Sequence, residues 1–386
     1  MNNRPLILRG NINIKNMDGY IIGKIIKNKN IVDKEEYIQL LDDKNINLFE
    51  EGYKGYIFEH EPQKINLKEI NYCSNIKDYQ TLLDYEVIEI INKKVIRVLY
   101  RDDSEDNVIV VTNQCNSNCI MCPDSDAVRN TKENPDIKKL LEQVRCIPND
   151  TKHITITGGE PGLLRENLIK LLEECKKYLP NTEFLLLSNG RIFSNTDFTN
   201  KVKESLPQYI RIAIPIYADN ENLHDKITRA KGSFKQTIVG IKKLIERDVD
   251  IEIRIVVLKK NYQHLEDIAN FIVKEIPQAK MVNIMALEMT GNAYKNREQV
   301  WINFDEVKEY LYRACITLIE SGMITNLYNF PLCNLDERLY SLAHKSITDY
   351  KIRYKDQCEE CLAKGSCGGF FNSTINFKDI EVKPIK

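Results

Sequence analysis

The chain has 386 residues, of which 42% are hydrophobic, and this length exceeds one typical domain of about 100–200 residues, so we expect two or three structural units. Lys and Arg number 55 against 56 Asp and Glu, a balance that gives no reason to expect nucleic acid or an anionic membrane as a partner.

Neither a signal peptide nor a membrane span is predicted, because no apolar stretch approaches the roughly 18 residues that a span requires. We therefore expect a cytoplasmic protein. There the 11 cysteines would stay reduced, so their clustering indicates metal binding instead of disulfides.

Residues 1–105 are predicted to form an accessory α+β domain. Candidate strands are Ile12–Ile14, Gly19–Gly23 and Val87–Ile91, and a short helix is expected over Glu35–Asp42. An alternative is a peptide-docking module whose exposed strand edge binds a substrate leader by β-addition. The sequence favours the accessory domain.

From Asn107 onward, apolar strands alternate with amphipathic helices. The predicted strands are Val108–Thr112, His153–Thr157, Glu183–Ser188, Tyr209–Ile216, Asp250–Leu258 and Met281–Leu287. The predicted helices between them include Glu166–Tyr178, Ser233–Arg247 and His264–Glu275. This alternation indicates parallel βαβ units, and six repeats predict an open partial barrel or a doubly wound sheet. In both architectures the active site lies at the carboxyl ends of the strands.

A first cysteine motif, Cys115-x3-Cys119-x2-Cys122, follows the first of these strands. Thiolates suit iron–sulfur clusters and zinc. A structural zinc site normally needs four protein ligands, and no histidine lies between His60 and His153. Three thiolates on a four-iron cluster would leave one iron open to a ligand that is not part of the protein.

A glycine-rich turn, Gly158-Gly159-Glu160-Pro161, follows the second strand. Adjacent glycines permit close backbone approach to a ligand. Alone, the sequence is also consistent with an ordinary strand-to-helix turn. One βα unit after the cysteines, however, it is expected to lie beside them at the same mouth of the barrel.

Together the two motifs resemble the radical S-adenosylmethionine (SAM) superfamily, over roughly residues 107–321. The resemblance implies a 4Fe-4S cluster on Cys115, Cys119 and Cys122, with SAM on the open iron and its amino group held at Gly158–Glu160. Pro161 would fix the turn. Reductive cleavage of SAM would give a 5′-deoxyadenosyl radical that abstracts a hydrogen from the substrate, chemistry that the cofactor supplies.

Four further residues are predicted to contact SAM, and for three of them the sequence also allows a purely structural role. Many members of the family have an aromatic residue where this chain has Met121, which can pack against the adenine. Ser188 and Asn189 would contact the ribose or methionine part, or form only a turn. Arg254, inside the fifth strand, would bind the SAM carboxylate, pair with a buried glutamate, or point outward. No residue is assigned as a catalytic acid or base.

A second cysteine group occupies the carboxyl-terminal region: Cys333, Cys358, Cys361 and Cys367. From spacing alone, a closed zinc site and an auxiliary 4Fe-4S cluster are equally good explanations. The run Cys358-x2-Cys361-x5-Cys367 resembles the SPASM/Twitch extensions of radical SAM peptide maturases, although Phe371 replaces one further cysteine of the SPASM pattern. The resemblance implies one auxiliary cluster with Cys333 as its fourth ligand.

More narrowly, four segments resemble the C-type radical SAM maturase of the His-Xaa-Ser peptide system: Thr112–Pro123, Pro331–Cys333, Lys345–Ile347 and Cys367–Phe371. That resemblance implies a ribosomally made precursor peptide as substrate, a second radical SAM maturase as partner, and a low-potential reductant such as flavodoxin or ferredoxin.

The sequence therefore predicts a partial (β/α)6 TIM-like barrel at residues 106–325, after the accessory domain at 1–105 and before an iron–sulfur domain at 326–386. The expected reaction is cross-linking, oxidation or epimerisation of a precursor peptide. Two alternatives are a radical SAM enzyme that acts on a small metabolite or folded protein, and a zinc-binding scaffold without enzymatic activity.

Overall fold

The computed structural model of the protein describes residues 4–27, 31–92, 95–129, 136–345, 351–377 and 380–386. Across these residues, strands form two eight-stranded sheets and a two-stranded ribbon. No helix within these ranges is long and apolar enough to cross a lipid bilayer.

The amino-terminal sheet is mixed, with parallel pairs in its centre and antiparallel pairs elsewhere. Its strands are β1 (Ile7–Arg9), β2 (Asn11–Asn13), β3 (Tyr20–Ile26), β4 (Tyr37–Leu41), β5 (Gly55–Phe58), β6 (Tyr72–Ser74), β7 (Val87–Ile91) and β8 (Val95–Tyr100). They lie in the order β1-β8-β7-β3-β4-β5-β6-β2. The three strands predicted in this region coincide with β2, β3 and β7.

The two edges of this sheet meet, because its edge strands β1 and β2 are separated in the chain only by Gly10. A Cβ atom at Gly10 would lie 2.2 Å from Ile76 Cδ1, so this bend requires glycine. The sheet is thus curled into a ring around an apolar core that includes Ile25, Ile57 and Ile90, as in closed β-barrels. Within the described sheet, the edge that could pair with another strand is therefore confined to the short strands β1 and β2.

The helix predicted over Glu35–Asp42 is wrong. Lys34–Glu36 form a single 3-10 turn, and strand β4 follows at once. The physical reason is burial on both faces: Ile38 packs into the core inside the ring, whereas Leu41 packs into a second apolar cluster outside it. A continuous apolar run of this length does not by itself distinguish a buried strand from a helix.

The second sheet is parallel throughout. Its strands, in chain and spatial order, are β9 (Asn107–Val110), β10 (His153–Thr157), β11 (Glu183–Leu187), β12 (Ile210–Pro215), β13 (Asp250–Val256), β14 (Met281–Met285), β15 (Ile324–Tyr328) and β16 (Ala343–His344). All six predicted strands are confirmed. The two that the sequence did not predict, β15 and β16, extend the sheet at its far edge.

The helices of this part of the chain cover the outer face of the sheet or lie near the carboxyl ends of its strands. In the described chain they are α1 (Asp126–Arg129), α2 (Ile137–Cys146), α3 (Glu166–Tyr178), α4 (Thr196–Ser205), α5 (Glu221–Thr228), α6 (Ser233–Ile245), α7 (Leu265–Glu275), α8 (Gly291–Lys295), α9 (Arg297–Val300) and α10 (Phe304–Glu320). The predicted helix Glu166–Tyr178 is confirmed with the same bounds. Strands alternating with helices around a parallel sheet confirm the partial TIM-like barrel.

The two faces of the parallel sheet differ in how far their side chains are exposed to solvent. On the helix-covered face, Ile154, Leu186, Ile253 and Ile284 are fully buried. On the opposite, inner face most side chains are only partly buried, and Val110 and Ile324 are 50% and 55% exposed. The inside of the barrel is therefore an open lumen, unlike the packed interior of a closed TIM barrel.

The curled amino-terminal sheet packs against helix α2. Tyr20 and Ile22 belong to the same apolar core as Leu140 of this helix, and Lys139 Nζ lies 2.5 Å from Glu89 Oε1. Near the other end of the chain, β17 (Ile352–Arg353) and β18 (Phe370–Phe371) form the antiparallel ribbon. The domain boundaries at 105 and 325 stay predictions.

Candidate metal centres

The loop that carries Cys115, Cys119 and Cys122 leaves the carboxyl end of β9 and is fixed by backbone hydrogen bonds. Ile120 N donates to Ile227 O at the end of α5, over 2.9 Å, and Asn292 N in α8 donates to Cys122 O, also over 2.9 Å. Helices from the opposite side of the barrel mouth therefore hold the loop in place.

Burial raises the pKa of all three thiols in this loop, to about 12 for Cys119. For Cys119 the next causes are the neighbouring Cys115 and Cys122. Three thiols this close would resist ionising together at neutral pH. A bound metal centre would offset this penalty, since thiolates are the ligand form of cysteine and metal binding releases their protons.

Arg129, which the sequence analysis did not single out, contributes positive charge at this loop. Its guanidinium opposes the rise in pKa at all three thiols, and its NH1 donates to Ser117 O over 2.8 Å. Its Nε is buried without a hydrogen-bond partner among the described residues. A buried cation with an unused donor beside three thiols fits an anionic cluster, whose charge it would partly balance.

The glycine-rich turn lies directly against the cysteine loop. Gly159 N donates to Thr112 O over 2.7 Å, and Glu160 N donates to Gln114 O over 2.8 Å. A Cβ at Gly158 would lie 2.3 Å from Thr112 O, and one at Gly159 would lie 2.2 Å from Gln114 O. Both glycines are therefore required for the close approach of the two backbones.

Glu160 is completely buried and organises the next strand-to-helix turn. Its Oε1 accepts hydrogen bonds from Gly162 N at 2.9 Å and Ser188 Oγ at 2.8 Å, and its Oε2 accepts from Asn189 N at 2.7 Å. Burial raises the pKa of this carboxyl, while these donors oppose the rise. Pro161 then begins a 3-10 turn that ends at Leu164.

Asn189 links this turn to the cysteine loop. Its Nδ2 donates to Asn116 Oδ1 over 2.6 Å and lies 4.0 Å from Cys115 Sγ. The structure therefore brings the first cysteine motif, the Gly158–Pro161 turn and Ser188–Asn189 together at adjoining strand ends.

The other two residues that the sequence predicted to contact SAM, Met121 and Arg254, lie in different surroundings. Met121 is buried in an apolar cluster with Tyr217 and Leu258 beneath the cysteine loop. Arg254 points into the lumen from β13, and its Nε lies 2.6 Å from Glu252 Oε1. The buried glutamate that was one alternative for Arg254 is therefore present.

The four carboxyl-terminal cysteines line one small cavity, Cys333, Cys358, Cys361 and Cys367, together with apolar residues such as Leu332 and Phe370. Their sulfurs accept backbone hydrogen bonds. Leu332 N and Gly369 N each lie 3.4 Å from Cys367 Sγ, and Ile385 N lies 3.4 Å from Cys361 Sγ. Amide donors to cysteine sulfur are one of the means by which proteins tune iron–sulfur clusters.

The sulfurs of these four cysteines are spaced more widely than the ligands of a single zinc ion. Four thiolates about 2.3 Å from one tetrahedral zinc ion would lie about 3.8 Å from one another. In the part of the chain that the structure describes, Asp43, Glu59 and His60 are the only group of three His, Cys, Asp or Glu residues whose ligand atoms all lie within 4.8 Å of one another. No three of the four cysteine sulfurs therefore have zinc spacing.

Comparisons with known proteins agree with this geometry. Residues 109–272 match the radical SAM superfamily. The chain is 27% identical to the sporulation killing factor maturation protein SkfB of Bacillus subtilis over 160 residues, which are 41% of this chain and 37% of that protein. It is 26% identical to the antilisterial bacteriocin subtilosin biosynthesis protein AlbA of Bacillus subtilis over 162 residues, 41% of this chain and 34% of that one.

A third relative is a GTP 3′,8-cyclase of Sulfurimonas denitrificans, 25% identical over 221 residues that make up 54% of this chain and 64% of the cyclase. The chain thus spans less than two thirds of the length of each of these relatives. The region that matches the superfamily, residues 109–272, contains the first cysteine motif and the strands from β10 to β13. Residues 109–272, a little less than half of the chain, are thus similar to the radical SAM superfamily.

Proposed function

We propose that the protein is a radical SAM enzyme that modifies a ribosomally made precursor peptide. The observation that carries the radical chemistry is the contact between the loop of Cys115, Cys119 and Cys122 and the backbone of Gly158–Glu160. When bound, a 4Fe-4S cluster and SAM would supply a 5′-deoxyadenosyl radical. The protein would hold both cofactors and limit the access of water to them.

Particular residues would bind the cofactors. Three cysteines would hold the cluster, and Arg129 would balance part of its charge. The backbone of Gly158 and Gly159 would hold the amino group of SAM, and Ser188 and Asn189 lie at the adjoining strand end for its other polar groups. Met121, buried beneath the loop, would pack against the adenine. The pairing of Arg254 with Glu252 gives that arginine weaker support as a ligand of the SAM carboxylate.

An auxiliary 4Fe-4S cluster is the proposed occupant of the carboxyl-terminal cysteine site. Its support is the shared cavity of Cys333, Cys358, Cys361 and Cys367, a sulfur spacing wider than zinc requires, and amide donors to Cys361 and Cys367. Four protein ligands would leave no iron open, so electron transfer is the role that this ligand set favours.

A peptide substrate is favoured by the carboxyl-terminal cysteine run and by two relatives named for the maturation of a killing factor and the biosynthesis of a bacteriocin. We further propose a low-potential reductant, flavodoxin or ferredoxin, and a second radical SAM maturase as partners. The C-type maturase of the His-Xaa-Ser system is the proposed subfamily.

A small-metabolite substrate is the second candidate function, because a GTP 3′,8-cyclase is also among the relatives. Mass spectrometry would separate the two. The protein would be co-expressed with the peptide of a short reading frame next to its gene, with a variant lacking Cys119 as control. A change in peptide mass that requires Cys119 is expected. An unchanged peptide, with turnover of a nucleotide instead, would overturn the peptide assignment.

A further inference from the structure

We propose that one wall of the barrel lumen binds an uncharged amide group of the substrate; this inference rests on the proposed peptide-modifying function. We call this surface the polar wall. It consists of inner-face side chains of strands β13 to β16: Glu252, Arg254, Asn283, Asn326, Tyr328 and His344.

Strand register places these side chains side by side. Arg254 is the partner of Asn283 across β13 and β14, and Asn283 is the partner of Asn326 across β14 and β15. One step closer to the carboxyl ends, Tyr328 is the partner of His344. Because paired residues of parallel strands point to the same face, the six form a continuous patch.

The face that carries the polar wall is open. Its strand β15 alternates between buried Thr325 and Leu327 and the more accessible Ile324, Asn326 and Tyr328. Ile324 is 55% exposed. Arg254, Asn326 and Tyr328 are partly exposed and His344 is exposed, whereas Glu252 and Asn283 are each 3% exposed. The four accessible side chains give this face the character of a binding surface.

Charges on and beside the polar wall cancel in pairs. Arg254 Nε lies 2.6 Å from Glu252 Oε1, and Arg211 Nε lies 2.9 Å from Asp250 Oδ2 on the neighbouring strands. A charged ligand here would leave the lumen with an unbalanced charge, which is costly in a partly desolvated site. The wall is therefore complementary to a neutral group with its own dipole.

Hydrogen-bonding groups on the wall match an amide. Asn326 Nδ2 donates to Asn283 Oδ1 over 2.9 Å. This bond uses one donor and one acceptor and leaves Asn283 Nδ2 and Asn326 Oδ1 without a partner in the described chain. The first can donate to a carbonyl oxygen and the second can accept from an N–H, the two polar atoms of a peptide unit.

Two aromatic rings of the polar wall lie near Asn283 and Asn326. The rings of Tyr328 and His344 are stacked with centroids 5.4 Å apart, and burial raises the pKa of Tyr328, so its hydroxyl stays protonated as a donor at neutral pH. Across the lumen the inner face is mixed: Val108 and Val110 of β9 and Leu185 and Leu187 of β11 flank Thr155 and Thr157 of β10.

A crystallographic soak tests the chemical class directly. Anaerobic crystals of the cluster-loaded protein would be soaked separately in N-methylacetamide, which carries one peptide unit, and in sodium acetate at equal concentration. N-methylacetamide bonded to Asn283 and Asn326, without acetate there, is expected. Acetate at these residues, or the absence of N-methylacetamide from them, would overturn the proposal.

A pair of variants tests the consequence for the substrate. Asn326→Leu removes the amide at similar volume, whereas Ile324→Ala shortens an apolar side chain on the same strand and face. With the co-expressed precursor peptide as substrate, Asn326→Leu is expected to raise KM by about tenfold, which corresponds to a loss of about 1.4 kcal/mol of hydrogen bonding. Ile324→Ala is expected to change KM little. Equal KM values for wild type and Asn326→Leu would reject the polar wall while leaving the peptide-modifying function intact. A wild-type protein that modifies no peptide would instead reject the function.

Discussion

At the scale of single residues, the chemistry of the barrel mouth depends on side chains that no motif reveals. The three cysteines could be predicted from their spacing, but Arg129 could not, because its proximity to them arises from the fold of the loop between β9 and α2. Tyr217 was missed for the same reason: it follows β12, yet it packs beneath the cysteine loop. Sequence motifs therefore indicate candidate ligands of such a centre, but not the side chains that the fold brings around them.

Arg129 is expected to stabilise the reduced form of the cluster, because a nearby positive charge favours the state with the extra electron. Arg129→Met should shift the midpoint potential of the cluster on Cys115, Cys119 and Cys122 to more negative values in an EPR-monitored redox titration. Arg129→Lys should retain most of the wild-type potential. Arg313→Met, which removes an exposed arginine on α10, serves as control. A wild-type potential in Arg129→Met with full iron content would contradict the role.

His224 is expected to make stability fall in mild acid. It is buried between the rings of Tyr217 and Phe234, and burial lowers its pKa from 6.5 to about 4. As pH falls, His224 is protonated in the unfolded chain at a higher pH than in the folded protein. The contribution of neutral His224 to the free energy of unfolding is therefore complete above about pH 6.5 and is lost as pH falls toward 4. Between pH 7 and pH 5 the loss from this residue should be about 2 kcal/mol.

Urea unfolding under anaerobic conditions at these two pH values measures that loss. His224→Gln should remove this part of the pH dependence, and His264→Gln, at a half-exposed histidine on the surface, should keep it. An identical pH dependence in His224→Gln and wild type would show that His224 titrates normally.

At the scale of elements, the six barrel strands were predictable because each apolar run is followed by an amphipathic helix. β15 and β16 were not predicted: β15 has polar Asn326 at its centre, and β16 has only two residues. The segment Glu35–Asp42 was misassigned because β4 packs against apolar clusters on both of its faces. The polar wall could not be predicted, since it depends on the register between neighbouring strands.

Gly159 is expected to be essential for the cysteine loop, because its Cβ position lies 2.2 Å from Gln114 O and a backbone oxygen cannot move aside as a side chain can. Gly159→Ala should therefore lose the first cluster and lower the iron content by about half. Gly365→Ala provides the control, because nothing lies within 4 Å of its Cβ position. Full iron content in Gly159→Ala would show that the close approach is dispensable.

At the scale of the whole molecule, a curled amino-terminal sheet, an open parallel barrel and a cysteine-lined carboxyl-terminal cavity are joined in one chain. The amino-terminal ring is docked on α2 by Tyr20, Ile22 and the Lys139–Glu89 ion pair. The sequence predicted strands there but not their closure, since closure depends on one glycine that joins the two edges.

The two cysteine sites are expected to load independently. Cys361→Ala should remove the auxiliary cluster and lower iron and sulfide by about half, because the other four-iron site keeps its ligands. Cys315→Ala, at a buried cysteine in α10, should leave both values unchanged. Elemental analysis that finds zinc in wild type, and loss of zinc instead of iron in Cys361→Ala, would contradict an auxiliary iron–sulfur cluster.

Reductive cleavage of SAM tests the central claim most directly. Protein reconstituted anaerobically with iron and sulfide would be incubated with dithionite and SAM, and the products separated by chromatography. Wild type is expected to form 5′-deoxyadenosine and methionine, and Cys119→Ala to form neither. Failure of the wild-type protein to cleave SAM, with its cluster verified by absorption and EPR spectroscopy, would contradict the assignment.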